Sequence, residues 1–216
     1  MKLPLAKQER ILEAALRLFR DRGFDQTTMR DIAAEAGVAV GAAYYYFDSK
    51  EAMVMAFYRQ ASEETHALIG QALENTHGLK QRIAAILAIR LGYFEPNRRF
   101  LGALLGHSAD PKHPLSPFSA ETKEIRELDI SHFAAAIDGG DIKPPADLRT
   151  HLPRLFWLYQ MGLILFWMYD DSPGQRRTSA LINKSLDVLI GLLKLSRLPL
   201  TKSLRRMAID LIEAAG

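Results

Sequence analysis

Residues 37–47, "GVAVGAAYYYF", set two glycines and three alanines before three consecutive tyrosines and a phenylalanine. Successive side chains on a helix point about 100° apart, so three adjacent rings spread over roughly 200° of its surface. A short helix cannot bury all three, and at least one ring faces water or a partner. The preceding segment, "TMRDIAAEAG" (28–37), opens with a capping box: Thr28 accepts from the backbone three residues on, and Asp31 reaches back. Gly37 ends that helix, "VAV" is a turn, and "GAAYYYF" is the next helix. Upstream, a helix over about 6–22 carries Ile11, Leu12, Ala15, Leu16 and Phe19 on one stripe and stops at Gly23. Downstream, Asp48 or Ser49 caps a long helix. Three short helices with a glycine turn between the second and third form a helix-turn-helix, an arrangement that places the last of them in the major groove of DNA.

Beyond this point the apolar periods stay close to 3.6, with no alternating stretch under Asn-Gly or Asp-Gly turns. Helices are expected near 78–94, 97–106, 117–137, 146–171, 174–196 and 200–214. They are separated by "EPN", "DPKHPLSP", "GGDIKPP", "DDSPG" and "LPLT", all built of turn residues. The fold class is all-α. The 216 residues suffice for one large domain or two small ones, and the 48% hydrophobic, 25% charged composition is that of a globular protein. With no cysteine there is no disulfide framework, which fits a reducing, cytoplasmic setting. The polar start excludes a secretory signal. The longest uncharged run, residues 155–169, is too short for a membrane span. A net charge of +3 permits nucleic acid as a partner without arguing for it.

"TTMRDIAAEAGVAVGAAYYYFDSKEAM", residues 27–53, resembles the DNA-binding signature of the TetR/AcrR family of bacterial transcriptional regulators. Thr28, Ile32, Ala33, Ala36, Gly37, Val38, Gly41, Tyr44, Phe47, Ser49, Lys50 and Glu51 fall in register with its pattern. Ala39 departs from it, standing where the family often has Ser or Thr, so a side-chain cap on the third helix is missing. The resemblance implies a DNA-binding domain over residues 1–50 and a larger helical ligand-binding and dimerisation domain over 51–216. It also implies a homodimer on double-stranded operator DNA, released by a small-molecule effector.

On the third helix, Gly41, Tyr44, Tyr45 and Asp48 share one face, while Ala43 and Phe47 share the opposite one and point at Ile32 and Phe19. Tyr44 and Tyr45 therefore face outward, where a phenol hydroxyl can reach a phosphate oxygen. The resemblance puts Tyr44 on phosphate and its neighbour at base or backbone. Tyr46 is intermediate. Val40 and Ala42 offer methyl groups suited to thymine methyls, and Gly41 lets the backbone approach closely. Arg30 is the best hydrogen-bonding reader, able to take both acceptors of guanine. Lys50 and Thr28, with the free amides beside Thr28, can reach phosphate. Eight Lys/Arg against seven Asp/Glu in residues 1–50 make the steering local rather than a matter of bulk charge.

"LFWLYQMGLILFWMYDD", residues 155–171, is apolar on nearly every side and reads as a helix buried all round. Its Trp157, Gln160, Met161, Ile164 and Met168 face reads either as simple core or as one wall of a ligand pocket. Phe94, Phe100, His107 and Phe133 are candidate opposite walls. Ile182, Leu186, Leu189 and Leu193, spaced four, three and four apart, form a seam of coiled-coil type. The resemblance implies that the last two large helices pair with their copies in a four-helix dimer interface.

No enzyme signature is present: there is no phosphate-binding glycine loop, no Gly-x-Ser-x-Gly and no His-Glu-x-x-His, and the six histidines are scattered singly. Asp170-Asp171 is better explained by turn chemistry than by acid–base work. Neither a metal site nor a cofactor is expected. The alternative is a helical small-molecule carrier that does not bind DNA, against which the capping box, turn and third helix argue.

Overall fold

A computed structural model describes the backbone of residues 3–108 and 110–215 and the side chains of residues 6–104 and 110–214. The helices in order are α1 (Leu3–Arg22), α2 (Met29–Glu35), α3 (Val40–Tyr46), α4 (Lys50–Glu74), α5 (Leu79–Phe94), α6 (Arg98–Ser108), α7 (Lys123–Asp138), α8 (Ala146–Arg149), α9 (Leu152–Met168), α10 (Arg176–Leu195) and α11 (Lys202–Ala215). There is no strand among the described residues, as the 3.6 periodicity requires.

Two expected helices differ. The one placed at 117–137 starts only at Lys123, because Pro114, Pro117 and a set of hydroxyls hold residues 113–122 in successive turns. Thr122 Oγ1 donates to the Ser116 carbonyl at 2.8 Å, and Ser119 Oγ donates to Pro114 O at 3.1 Å. Such local side-chain bonds compete with helix formation. The one placed at 146–171 is broken at Thr150–His151, and Pro153 sits in the first turn of α9, where its missing N–H costs nothing.

The chain divides into two compact units, residues 1–63 with 94–126 and residues 64–93 with 127–216. In the first unit an aromatic cluster fills the core. Phe19 packs on Phe24 with centroids 5.1 Å apart and stacks on Phe100 at 5.2 Å, while Phe57 meets Phe94 at 6.2 Å and Phe100 at 6.5 Å. Arg20 Nη1 donates to Asn97 Oδ1 at 2.8 Å, tying the end of α1 to the start of α6.

In the second unit Ile69, Ile83, Leu87, Phe133, Phe156, Trp157, Leu186 and Ile190 belong to one core. The buried Arg82 guanidinium donates to the carbonyls of Leu73, Thr76, Ala135 and Ala136. It thereby places a cation on the electronegative ends of α4 and α7. Asp170 anchors the start of α10. Its carboxylate accepts from Thr178 N at 2.8 Å, Thr178 Oγ1 at 2.7 Å, Ser172 N at 3.0 Å and Ser172 Oγ at 2.6 Å. The charges of α11 run against its own dipole, and two bonds from Arg205 tie it to the rest of the unit. Arg205 donates to Asp147 at 2.9 Å and to the Ser196 carbonyl at 2.6 Å.

Candidate nucleic-acid interface

The capping box of α2 is complete. Asp31 N donates to Thr28 Oγ1 at 3.2 Å, and Thr28 N donates back to the Asp31 carboxylate at 2.9 Å. The Thr28 hydroxyl also donates to Asp31 at 2.6 Å. These bonds hold the Asp31 carboxyl below its ordinary range. At the other end Val38 N reaches Ala33 O at 2.9 Å and Gly37 N reaches Ala34 O at 3.1 Å. Gly37 has φ +62°, so the pair forms a Schellman motif that only a residue tolerating the left-handed region closes easily. That motif sets the turn into α3. Ala39 makes no side-chain cap there, as the sequence implied.

On α3 the aromatic residues separate by face. Ala43 and the terminal Phe47 are buried with Ile32 and Phe19, whereas Tyr44 is 50% exposed and Tyr45 82% exposed. Tyr46 is half-buried, its ring edge-on to Tyr45 at 5.1 Å. Val40 and Gly41 are exposed at the start of the same helix, and Ala42 is half-buried. Arg30 is exposed on α2, and Arg17 Nε bonds Glu35 at 3.1 Å to fix α1 against α2. Lys50 has a task the sequence did not show. Its Nζ donates to the Phe24 carbonyl at 2.6 Å and lies 4.4 Å from the centre of the Phe24 ring.

The eight candidate ligand residues are not gathered in one unit. Phe94 and Phe100 belong to the first unit, in the aromatic core with Phe19 and Phe57. The His107 side chain lies outside the described residues. Phe133 and Trp157 are buried in the core of the second unit, with Met161 packed against it, and Ile164 and Met168 are half-buried. That unit does hold an apolar cavity of about 370 Å³ elsewhere. Leu152, Phe156, Leu189, Leu193, Leu204 and Arg205 are among the residues that line it. None of the eight candidates lines it.

The seam on α10 faces the unit's own core. Leu186 and Leu193 are sealed inside the unit's own core, and Ile182 and Leu189 pack against that core. The face left open lies beside it: Leu181, Val188, Leu192 and Leu195 on α10, and Leu158, Leu165 and Tyr169 on α9. A leucine repeat serves a fold's own core as readily as a partner's, and spacing alone does not distinguish the two.

Of a polar cluster inside the second unit, sequence reasoning found only Gln160. Arg90 of α5 pairs with Asp129 of α7; His132, one turn beyond Asp129, meets His66 of α4 at 2.8 Å; and Gln160 of α9 is buried nearby. Its signal was a lone polar residue inside an apolar run: Arg90 in "AAILAIRLGYF" and Gln160 in residues 155–169.

Comparison with known proteins agrees with this arrangement. Residues 11–57 match the family model for bacterial regulatory proteins of the tetR family, and residues 82–210 match that for the tetracyclin repressor-like C-terminal domain. The chain is 47% identical over 49 residues to the uncharacterized HTH-type transcriptional regulator YerO of Bacillus subtilis, covering 23% of this chain and 17% of that protein. It is 35% identical over 86 residues to the HTH-type transcriptional regulator BetI of Brucella anthropi, covering 40% and 44%. Both matches thus span less than half of the relative. To the HTH-type transcriptional repressor KstR2 of Mycolicibacterium smegmatis it is 25% identical over 148 residues, 67% of this chain and 72% of that one. Among solved structures, the regulator FadR from Bacillus subtilis in complex with stearoyl-CoA shares the fold, with a TM-score of 0.65 and 18% identity over 84% of this chain and 96% of that one. A tetR-family regulator from Streptomyces coelicolor does so at 0.65 and 17%, covering 97% and 89%. The two family models cover most of the chain, and what they match is a complete helix-turn-helix followed by a helical unit. The chain belongs to the TetR family of bacterial DNA-binding transcriptional regulators, which are not enzymes.

Proposed function

We propose that the protein is a cytoplasmic homodimer that binds an inverted-repeat operator as a repressor and leaves it when a small, largely apolar effector binds. The observation that carries the DNA-binding face is the split on α3. Ala43 and Phe47 are sealed in the core, while Tyr44 and Tyr45 stand in solvent beside Val40 and Gly41. Two large aromatic residues left exposed on a seven-residue helix have a use if their hydroxyls meet phosphate and their rings lie along sugar. Thr28, Arg30, Ala42 and Lys50 complete this proposed face, with Arg30 as the reader of guanine.

Two-fold pairing would run through the open stripes of α9 and α10. Leu158, Leu165 and Tyr169 recur at intervals of seven and four, and Leu181, Val188, Leu192 and Leu195 at seven, four and three. Both are helical faces that water would otherwise cover. The effector would be held in the second unit. The acyl chain of the stearoyl-CoA bound by the Bacillus subtilis structure of this fold supports an effector with a long apolar part. The chain passes between the units at 63/64, 93/94 and 126/127, so α4, which runs through the first of these crossings and carries Phe57 in the DNA-binding core, is a natural element to relay the change. An effector shifts the balance only by binding two states unequally.

A gel shift of the full chain on the duplex upstream of its own gene, repeated across a salt series, tests this reading. A specific complex that weakens steeply with salt is expected. A helical carrier would give no salt-sensitive complex, which would overturn the proposal.

A further inference from the structure

The polar cluster of the second unit is the feature that DNA binding and dimerisation leave unexplained. Four helices contribute to it: His66 from α4, Arg90 from α5, Asp129 and His132 from α7, and Gln160 from α9. Arg90 is 3% exposed and Gln160 1% exposed, and Asp129 and His132 are buried as well. Arg90 Nη2 bonds Asp129 Oδ1, and His66 Nδ1 shares a hydrogen with His132 Nε2 at 2.8 Å. Four buried polar atoms remain without a hydrogen-bond partner: Arg90 Nε, His132 Nδ1, and both Nε2 and Oε1 of Gln160. The Gln160 amide does lie close enough to Asp129 to favour its charged form, but neither amide atom makes a bond of normal geometry. Leaving one such atom unmet costs roughly 1–3 kcal/mol, and a native interior seldom gathers four in one place.

The charges indicate what would satisfy them. Arg90 and Asp129 balance each other. Burial pushes the His132 pKa down to about 4, and the charges of Arg90 and His66 add to that, so this ring is neutral at physiological pH. Burial likewise raises Asp129 and lowers Arg90, against the attraction within the pair. An anionic group entering here would find no spare cation, and a cation no spare anion. Either would add an uncompensated charge to an apolar core, which is costly. A group able both to accept, from Arg90 Nε and Gln160 Nε2, and to donate, to Gln160 Oε1, adds no charge at all.

We infer that this cluster receives the polar end of the effector, and that this end is a neutral hydroxyl on an otherwise apolar molecule. The inference rests on the effector-responsive reading above and names the chemical class of the effector. The apolar body would lie along Phe156, which sits one turn from Gln160 on α9 and also lines the unit's apolar cavity. His66, the exposed member, marks where the cluster reaches the surface.

Octanol, octanoate and octane titrated into the full-length protein, read by tryptophan fluorescence and thermal melting, test it. Octanol is expected to bind at least about ten-fold more tightly than either of the others, a difference of ~1.4 kcal/mol. Gln160→Met, nearly the same volume without the amide, is expected to melt higher than wild type when ligand-free and to bind octanol no better than octane. If that variant does not fold, Gln160→Leu with the same titrations takes its place, with the same expected loss of preference. Octanol bound no better than octane by wild type, octanoate preferred, no binding of any of the three, or a preference that survives Gln160→Met would each overturn the inference. Ordered waters meeting the four atoms identically with and without octanol would overturn it too. Failure of the wild-type protein to bind duplex DNA would sink the regulator reading instead, and leaves the octanol preference standing or falling by itself.

Discussion

The Lys50 ammonium donates to the Phe24 carbonyl at 2.6 Å and rests 4.4 Å from the centre of the same residue's ring. The first residue of α4 thus clamps the turn between α1 and α2. One cation meets both a carbonyl and a π face, and it still has two N–H donors to offer. Lys50→Met should therefore lower the stability of the DNA-binding unit by roughly 1–3 kcal/mol, since a charged hydrogen bond and a cation–π contact go together. If Lys50 also meets phosphate, the same variant lowers the salt slope of DNA binding by about one. A lysine serving phosphate alone would leave the melt unchanged, so melting and a salt titration together separate the two roles.

Arg30 is exposed on α2, beside the capping box rather than within it. Arg30→Ala should leave the fold intact and relax preference at one position per half-site, worth about 1–3 kcal/mol if the guanidinium reads guanine. A binding selection with wild type and variant measures this directly. Identical preferences at every position would remove Arg30 from the interface.

The start of α10 hangs on Asp170. Burial works to raise its pKa, but the bonds from Ser172 and Thr178 outweigh it and hold the carboxyl below its ordinary value of 3.8. A carboxyl depressed in the folded state adds stability that is fully present above its unfolded pKa and is lost as pH falls through the folded one. Asp170→Asn should accordingly melt lower than wild type at neutral pH, with the gap closing as pH drops below about 4. A gap that stays constant across the acid range would assign the effect to packing rather than to the charge.

Much of this was legible in sequence for a physical reason: local rules decide local structure. The capping box Thr28–Asp31, the Gly37 turn and the outward pair Tyr44/Tyr45 each follow from a few adjacent residues, and the structure shows all three. What needed the fold were long-range relations. Phe94 and Phe100 looked like pocket walls, but they lie in the aromatic core of the first unit, where Phe100 stacks on Phe19 and Phe94 meets Phe57, both far away along the chain. Lys50 read as a cation that can reach phosphate, and its bond to the Phe24 carbonyl, 26 residues away, adds a task that spacing does not show. The repeat Ile182, Leu186, Leu189, Leu193 has correct heptad spacing, yet period cannot say which side of a helix its own unit covers.

In the proposed dimer, the open face of α10 meets its copy. Val188 is 61% exposed and midway along the stripe Leu181 to Leu195. Val188→Glu should fold normally, because a carboxylate there meets water in the monomer, yet it puts two like charges into the paired state. The expected result by analytical ultracentrifugation is a helical monomer that keeps only weak, salt-sensitive DNA binding. A Val188→Glu protein that stays dimeric would place the interface elsewhere.

Selection of duplexes from a random library by the purified wild-type protein bears most directly on the two-fold, α3-led reading of DNA. One α3 offers few base-reading groups, so specific binding requires two of them meeting successive major grooves about 34–36 Å apart. The enriched sequences should be inverted repeats whose half-site centres lie one helical turn, or a multiple of it, apart. Enrichment of a lone half-site, or of no sequence at all, would contradict the account.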